Sequence, residues 1–113
     1  MYTRINPHTL RDEIVDRTTF EKEVSESLSR CQLRKDNHLS YCSKLGELYR
    51  LDGNYQAAED ILKSVLLDLE DSSDEKLVFL TELRLAIVYQ YAGDWENALN
   101  LFEKLEFEPF NPN

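Results

Sequence analysis

The amino-acid sequence predicts an all-α protein, built as a stack of antiparallel helical hairpins. Three observations predict this fold class: an internal repeat with a period of forty residues, apolar residues spaced as on one face of a helix, and a scarcity of helix-breaking residues. The 113 residues include three Gly and three Pro, while 42% are hydrophobic and 31% are charged. This balance is typical of a folded helical domain and fits one domain over 1–113.

The chain before the repeat is expected to contain one amphipathic helix. Thr18 and Glu21 match the S/T-x-x-E pattern of a capping box, which marks the start of this helix. The apolar positions that form one of its faces are Phe20, Val24, Leu28 and Cys31. In the preceding segment the sequence indicates little regular structure, apart from a short helical turn around Leu10 and Ile14.

The repeat joins two segments of the chain that lie forty residues apart. The residues that hold matching places in the two segments are Leu45 and Leu85, Gly46 and Ala86, Tyr49 and Tyr89, Gly53 and Gly93, Tyr55 and Trp95, and Ala58 and Ala98. A fixed period of this length indicates stacked supersecondary units that bury a shared core between neighbours. Each unit is predicted to be one pair of antiparallel helices.

The spacing inside each unit predicts where the chain turns and how closely the two helices pack. A small residue in the first helix allows the second helix to approach, and the aromatic residue at the start of the second helix anchors it. Gly53 is expected to take the left-handed conformation that ends the first helix, and Asn54 to cap the second one. Gly93 and Asp94 hold the same places in the second unit.

These residues, at these spacings, resemble the signature of the tetratricopeptide repeat family, over roughly Leu39 to Phe107. The resemblance implies a right-handed superhelical stack of hairpins, with the N-terminal helix added at one end. The predicted units are an N-terminal segment at 1–17, an amphipathic helix at 18–36, a first repeat at 39–71, a second repeat at 74–107 and a tail at 108–113. The family's usual period is thirty-four, so extra residues are placed between Leu69 and Glu75, where Ser72 and Glu75 form a second capping box.

Two positions depart from the family's pattern, because Cys42 and Glu82 stand where an aromatic residue is customary. Cys31 and Cys42 lie on predicted helices without a CxxC pattern, so both are expected to be buried, reduced thiols. His8 and His38 lie far from any cluster of acidic residues or cysteines. The sequence therefore predicts no metal site and no cofactor.

The charge of the chain is unevenly distributed and limits the kinds of partner. The net charge of −9 arises after His38, where six Lys and Arg residues stand against fifteen Asp and Glu residues. Nucleic acid is excluded as a partner because an acidic surface repels it. The acidic surface is interpreted either as a solvated surface or as a site for a cationic partner segment. No apolar run reaches the length of a membrane span, so a cytoplasmic protein without a membrane partner is expected.

The sequence offers no arrangement of residues for catalysis. It lacks a nucleophile paired with a base, a metal triad and a phosphate-binding loop, and its glycines fit the ends and contacts of helices. Carboxylates such as Glu59 and Asp60 are interpreted as solvated residues on outer helix faces. We therefore predict a protein interaction module or scaffold, and not an enzyme.

The resemblance places the partner site on the surface lined by the first helix of each repeat. The residues predicted to bind a partner protein or peptide there are Lys44, Glu47, Arg50, Leu80, Leu83, Arg84, Ile87 and Tyr91. The first repeat offers polar side chains, among them Ser43, whereas the second repeat offers apolar ones. Chaperone-binding members hold a terminal carboxylate with a set of cations, of which only Lys44 and Arg84 are present. These two are predicted to orient an acidic or C-terminal group of the partner.

The second repeat carries more apolar surface than its own hairpin can cover. The surplus stripe consists of Leu80, Leu83, Ile87 and Tyr91. Either the N-terminal helix or a loop of the same chain covers this stripe, or a second copy or a peptide does. The residues expected to face the place of a missing next hairpin are Leu99, Phe102 and Leu105. Only a partial lid is available to them, from Phe107, Pro109 and Phe110. The protein is therefore expected to self-associate, with a homodimer as the simplest form.

Two other functions remain open from the sequence. One is a regulatory peptide-sensing domain, since longer repeats of this kind resemble those of Gram-positive regulators that bind signalling peptides. Such a sensor would change its state of assembly when the peptide binds. The other is a purely structural dimerisation domain, or a fragment of a longer repeat array whose neighbours supply the missing caps.

Overall fold

Helices form most of residues 2–107, the part of the chain that the computed structural model describes. The elements are, in order, β1 (Thr3–Ile5), β2 (Asp12–Ile14), α1 (Arg17–Leu33), α2 (His38–Leu51), α3 (Tyr55–Asp68), α4 (Glu75–Ala92) and α5 (Trp95–Phe107). Each helix packs against the next one along the chain, and α2 also contacts α4. The fold is the predicted all-α stack of helical hairpins, with α1 added before the first hairpin.

The turns inside both hairpins have the predicted caps. Gly53 and Gly93 adopt the left-handed conformation, with φ of 81° and 84°. The side chain of Asn54 accepts a hydrogen bond of 3.3 Å from the backbone N–H of Ala57, and Asp94 accepts one in the same way from the first turn of α5. These turns set α2 against α3 and α4 against α5.

The helices of the first hairpin meet at a glycine, as the sequence predicts. A methyl group at Gly46 would lie 2.5 Å from Cγ of Leu62, which is closer than two carbon atoms can approach. The buried core around this contact consists of Ala58, Leu62, Leu85, Val88, Tyr89 and Ala98. Trp95 does not anchor α5 as predicted, because 57% of its surface is exposed. Its counterpart Tyr55 packs against Tyr91 of the following repeat, and no repeat follows α5 within the described residues.

The N-terminal segment forms a β-hairpin, so the predicted helical turn at Leu10 and Ile14 is wrong. β1 and β2 pair in the antiparallel direction, with Thr3 opposite Ile14. The side chain of Asn6 accepts hydrogen bonds from the backbone N–H groups of His8 and the residue after it, which starts the turn between the strands. Leu10 lies in this turn with 79% of its surface exposed. A local side-chain hydrogen bond therefore overrides a weak helical spacing.

Two helices begin at aspartates instead of at the predicted capping boxes. Oδ1 of Asp16 accepts a hydrogen bond of 3.1 Å from the backbone N–H of Thr19, so α1 starts before Thr18. The hydrogen bonds from Thr19 also lower the pKa of Asp16. Asp74 caps α4 in the same way, while Ser72 accepts a hydrogen bond within the preceding turn. A carboxylate is favoured at these places because its charge complements the helix N-terminus.

The expectation of reduced thiols is wrong, because Cys31 and Cys42 form a disulfide bond. The packing of α1 on α2 brings their Cα atoms to 4.9 Å. Cys42 is buried against Val65 and Leu69, so it fills the place that an aromatic residue takes in the family's pattern. The bond fixes α1 covalently to the first hairpin.

The C-terminal helix is less open than the sequence predicts. Leu105 is buried, with 4% of its surface exposed, and Phe102 packs against the core. Leu99 is open, with 57% of its surface exposed. The residues of the predicted lid lie outside the described side chains: Phe107, Pro109 and Phe110.

Replacing Gly46 by Val should lower the free energy of unfolding by at least about 2 kcal/mol, because the new side chain overlaps Leu62. Chemical denaturation followed by circular dichroism measures this change. Gly53→Asn is the matched control, because Asn tolerates the left-handed conformation and nothing lies within 4 Å of the added Cβ. The control should lose less than about 1 kcal/mol. Equal losses in the two variants would contradict the close approach of α2 and α3.

Removing the disulfide by Cys31→Ala and Cys42→Ala should lower the free energy of unfolding by about 2 to 3 kcal/mol, because the bond closes a short loop. A reducing agent should shift the melting temperature of the parent protein and leave that of the double variant unchanged. Thiol titration of the unreduced, denatured parent protein provides the direct check. Two reactive thiols in that titration would mean that the bond does not form.

Candidate partner-binding site

The predicted partner residues of α2 and α4 meet on one surface, which the N-terminal hairpin covers. We call this surface the inner face and define it by its polar side chains, which are Lys44, Glu47, Arg50, Arg84 and Tyr91. The disulfide-bonded helix α1 borders it and contributes Glu23 and Phe20. Contacts within the chain therefore bring together five of the eight residues predicted from the sequence.

Arg50 is the most deeply buried charge of the inner face. Only 4% of its side chain is exposed. Its Nη2 donates a hydrogen bond of 3.3 Å to Asp12 of the hairpin and lies 3.8 Å from Glu47. The guanidinium also stacks over the ring of Tyr91, at 4.6 Å from the ring centroid. The remaining Nη1 is buried and has no hydrogen-bond partner among the described residues, which is unfavourable for the fold.

Arg84 lies beside Arg50, and its hydrogen bonds also leave one of its nitrogen donors unused. Its Nη1 donates a hydrogen bond of 2.9 Å to the hydroxyl of Ser43, and its Nη2 donates one of 3.4 Å to Glu47. The Nε atom is buried and has no hydrogen-bond partner in the part of the chain that the structure describes. Burial lowers the pKa of Arg84, although a guanidinium keeps its charge at any physiological pH. Ser43 is fully buried, and its hydroxyl forms a hydrogen bond of 2.8 Å with the hydroxyl of Thr81. The prediction that Ser43 belongs to an open binding surface is therefore wrong.

Lys44 is paired within the chain, because its Nζ lies 2.6 Å from the carboxylate of Glu23 on α1. This hydrogen bond raises the pKa of Lys44. Tyr2, at the start of the hairpin, lies among the same charges, and burial raises the pKa of its hydroxyl. The ring of Tyr2 packs edge-on against Phe20, with ring centroids 5.8 Å apart. The first strand of the hairpin therefore reaches the inner face from the side of α1.

The hairpin also covers Tyr91, which the sequence places in the surplus apolar stripe. The backbone N–H of Asp12 donates a hydrogen bond of 3.1 Å to the hydroxyl of Tyr91, and the guanidinium of Arg11 stacks over its ring. The other members of the stripe lie along α4, and the one farthest from Tyr91 is the most exposed to solvent. Leu80 has 39% of its surface exposed, and two further members are half-buried, namely Leu83 and Ile87.

Sequence reasoning missed Tyr2, Asp12 and Glu23 as residues of this surface. Their place depends on where the hairpin and α1 pack, and the apolar spacing that predicts α1 as a helix does not specify which helices it contacts. The signal that was available is the Asn6-Pro7 dipeptide, which is typical of a turn between two short strands.

A second concave surface, with a volume of about 880 Å³, lies between α3, α4 and α5. Its lining is apolar at the base, with Leu66 and Val78, and charged at the rim, with Glu70 and Lys63. Glu82, which replaces a customary aromatic residue, is buried at its edge and forms an ion pair with Lys104. This pair explains how a carboxylate is accommodated at a core position of the repeat.

Comparison with protein families agrees with this geometry. The family model described as Tetratricopeptide repeat matches residues 42–76 and 83–106, which together are more than half of the chain. The chain therefore belongs to the tetratricopeptide repeat family, whose domains generally mediate protein–protein interactions and are typically not enzymes. Comparisons with curated proteins and with solved structures gave no match. Within residues 2–107 no helix is long and apolar enough to cross a membrane.

Replacing Arg50 by Met should change the free energy of unfolding by less than about 1 kcal/mol, or raise it. Met keeps most of the packing volume, and the substitution removes a buried donor that has no partner. Arg50→Ala leaves the space of the side chain empty, and its free energy of unfolding should be lower by about 2 kcal/mol or more in a chemical denaturation experiment. A loss of more than about 2 kcal/mol in Arg50→Met would mean that the ion pair with Asp12 stabilises the fold, and would remove the argument that Arg50 is kept for binding.

Proposed function

We propose that this domain binds a partner protein through the inner face, and that the bound segment is acidic. The observation that carries the proposal is a pair of guanidinium groups, Arg50 and Arg84, each with one buried nitrogen that has no hydrogen-bond partner among the described residues. Such donors are costly to keep in a protein, and a carboxylate is the acceptor that satisfies a guanidinium best. An acidic side chain or a terminal carboxylate of the partner fits this surface.

The distribution of charge supports an acidic segment more than a cationic one. Lys44 is paired with Glu23, and Arg84 is paired with Glu47, while the nearest carboxylate to Arg50 comes from the hairpin. Three cations of the helices therefore share two carboxylates of the helices. The helices alone therefore leave one cation without a carboxylate of its own, and with the hairpin in place Asp12 supplies that carboxylate, in a chain whose net charge is −9.

The apolar residues of α4 extend this site in one direction. Leu83 and Ile87 lie one position before and three positions after Arg84, and both are half-buried. A partner helix or strand that carries one carboxylate and a neighbouring apolar side chain would use both features. In this proposal the Lys44 and Arg84 clamp predicted from the sequence becomes an Arg50 and Arg84 pair, with Lys44 as a supporting charge.

The proposal predicts selective binding of acidic peptides. A fluorescein-labelled synthetic peptide of alternating Glu and Leu residues should bind, while the same peptide with Lys in place of Glu should not. Arg84→Gln should lower the affinity for the Glu-containing peptide about tenfold or more, because the substitution removes a charge-assisted hydrogen bond. Fluorescence anisotropy measures both affinities.

The control for this experiment is Lys63→Gln, which makes the same change of charge on α3. Lys63 is exposed and pairs with Glu59, away from the inner face. Its affinity for the acidic peptide should match that of the parent protein. Equal affinities for the Glu and Lys peptides, or equal losses in Arg84→Gln and Lys63→Gln, would contradict the proposed site.

Self-association through α5 is a second candidate function, and one observation favours it. Trp95 and Leu99 are exposed on one face of α5, each with 57% of its surface open. They correspond to Tyr55 and Glu59 of the first repeat. Tyr55 packs against the ring of Tyr91 on the following helix, and Glu59 accepts a hydrogen bond from the hydroxyl of Tyr89 on the same helix. The exposed pair is thus the surface on which a repeat of this family stacks its neighbour, and a second copy of α5 would cover it.

A dimer of this kind should be present at about 100 μM, where interfaces of roughly −5.5 kcal/mol are populated. Trp95→Asp together with Leu99→Asp should then give a folded monomer. Sedimentation velocity at several concentrations is the measurement. Leu33→Asp, on an exposed residue of α1, should leave the dimer intact. A parent protein that is monomeric at this concentration would exclude the interface.

The regulatory peptide sensor remains a proposal, while one observation opposes the cytoplasmic location predicted from the sequence. A regulatory peptide sensor would use the same inner face, and it would differ from a scaffold by a change of mass when the acidic peptide binds. A cytoplasmic location is opposed by the Cys31–Cys42 bond, because reducing compartments keep most thiols free.

A further inference from the structure

We propose that the N-terminal hairpin is a built-in occupant of the inner face, which a partner must displace before it binds. The hairpin holds the carboxylate of Asp12 against Arg50, in the place where the proposed acidic segment would bring its own. This inference rests on the proposed function, since it concerns the regulation of the same site. The chain itself thereby limits access to its binding surface.

Three side chains of the hairpin contact the inner face or its border, namely those of Tyr2, Arg11 and Asp12. Tyr2 packs against Phe20 and lies among the charges of Lys44, Glu47 and Arg84. Asp12 accepts a hydrogen bond from Arg50 through its side chain, and donates one to Tyr91 through its backbone. An aromatic ring, the guanidinium of Arg11 over Tyr91 and a carboxylate therefore cover the site, and a peptide partner can supply the same chemical groups.

The hold of the hairpin on the helices is weak enough for exchange. Each strand has three residues, and an isolated two-stranded hairpin is marginally stable in water. Three of its large apolar side chains face the solvent, with exposed fractions of 63% at Ile5, 79% at Leu10 and 50% at Val15. Release of the hairpin therefore costs few apolar contacts, of which the packing of Tyr2 on Phe20 is one. The direct connection to α1 keeps it nearby at a high effective concentration, so that it closes the site again when the partner dissociates.

Departure of the hairpin changes the charge around Arg50. Glu47 remains at 3.8 Å, but it also accepts the hydrogen bond from Arg84. Arg50 is then without a carboxylate of its own, and a partner that supplies one restores the balance. The same step that opens the site thus favours an acidic occupant over a neutral one.

The neighbouring carboxylate of the same strand provides a matched control. Glu13 accepts a hydrogen bond of 2.7 Å from Arg4 and one of 3.1 Å from Asn6, both within the hairpin. The hydrogen bond from Arg4 lowers the pKa of Glu13. Asp12 and Glu13 are adjacent in sequence, but only Asp12 contacts the inner face through an ion pair with a helix.

The test uses a double variant of the full chain that carries both Tyr2→Ala and Asp12→Ala. Its control is the single variant Glu13→Ala. Two fluorescein-labelled probes are offered in trans: a synthetic peptide of residues 2–16 of this chain, and the Glu-Leu peptide described above. The opened double variant should bind both probes about tenfold or more tightly than the parent protein, because the fraction of open sites rises. Glu13→Ala should bind them as the parent protein does. Circular dichroism verifies that the helices are intact.

The outcomes separate this inference from the proposed function. If the Glu-Leu peptide binds the double variant and the parent protein with equal affinity, the hairpin does not occupy the binding site. The proposed acidic site would remain in place. Binding of the 2–16 peptide to the double variant, without binding of the Glu-Leu peptide to either protein, would support the occupant and reject the acidic partner. Failure of the 2–16 peptide to bind the folded double variant would overturn the inference.

A second measurement uses the unaltered chain and does not depend on the folding of a variant. Hydrogen exchange of the Asp12 amide should be slow in the free protein, because that N–H is bonded to the hydroxyl of Tyr91. Saturation with the Glu-Leu peptide should accelerate this exchange about tenfold or more, as the hairpin is released. Exchange that stays slow while the peptide is bound would show that the two occupy different places, and would reject the proposal.

Discussion

The burial of Arg50 is the constraint on which the arrangement of the inner face depends. Only 4% of the Arg50 side chain is exposed, so contacts within the protein must replace the water that a charged group loses on burial. These contacts are a carboxylate from the hairpin, a second one from α2 and the ring of Tyr91 from α4. These three contacts join the N-terminal segment and both repeats at one point. Within residues 2–107 one nitrogen of Arg50 still lacks a hydrogen-bond partner, so the site is left suited to a further acceptor.

The packing of the repeats sets the geometry that makes this burial possible. The contact of Gly46 with Leu62 brings α3 close to α2, and the buried hydrogen bond between Ser43 and Thr81 joins α2 to α4. Arg50 and Arg84 are consequently held on adjacent helices with little freedom. The disulfide adds α1, which supplies the carboxylate of Glu23 for Lys44. Rigid helices thus present the cations, while a short hairpin covers them.

The repeat, its turns and its close helix contact were predictable from the sequence because each rests on local geometry, as at Gly53 and Gly46. The position of the hairpin on the helices, the disulfide and the exposure of Trp95 were not, since they depend on contacts between distant parts of the chain. The candidate site divides in the same way. Its helical residues follow from the repeat, whereas Asp12 became visible only when the hairpin was placed on α2 and α4.

The most direct test of this account is a set of proton–proton distances across the inner face in solution, measured by nuclear Overhauser effects in the full chain. The account predicts cross-peaks between the rings of Tyr2 and Phe20, whose centroids lie 5.8 Å apart, and between the amide proton of Asp12 and the ring of Tyr91. Cross-peaks within the helices, without any between the hairpin and the inner face, would contradict it.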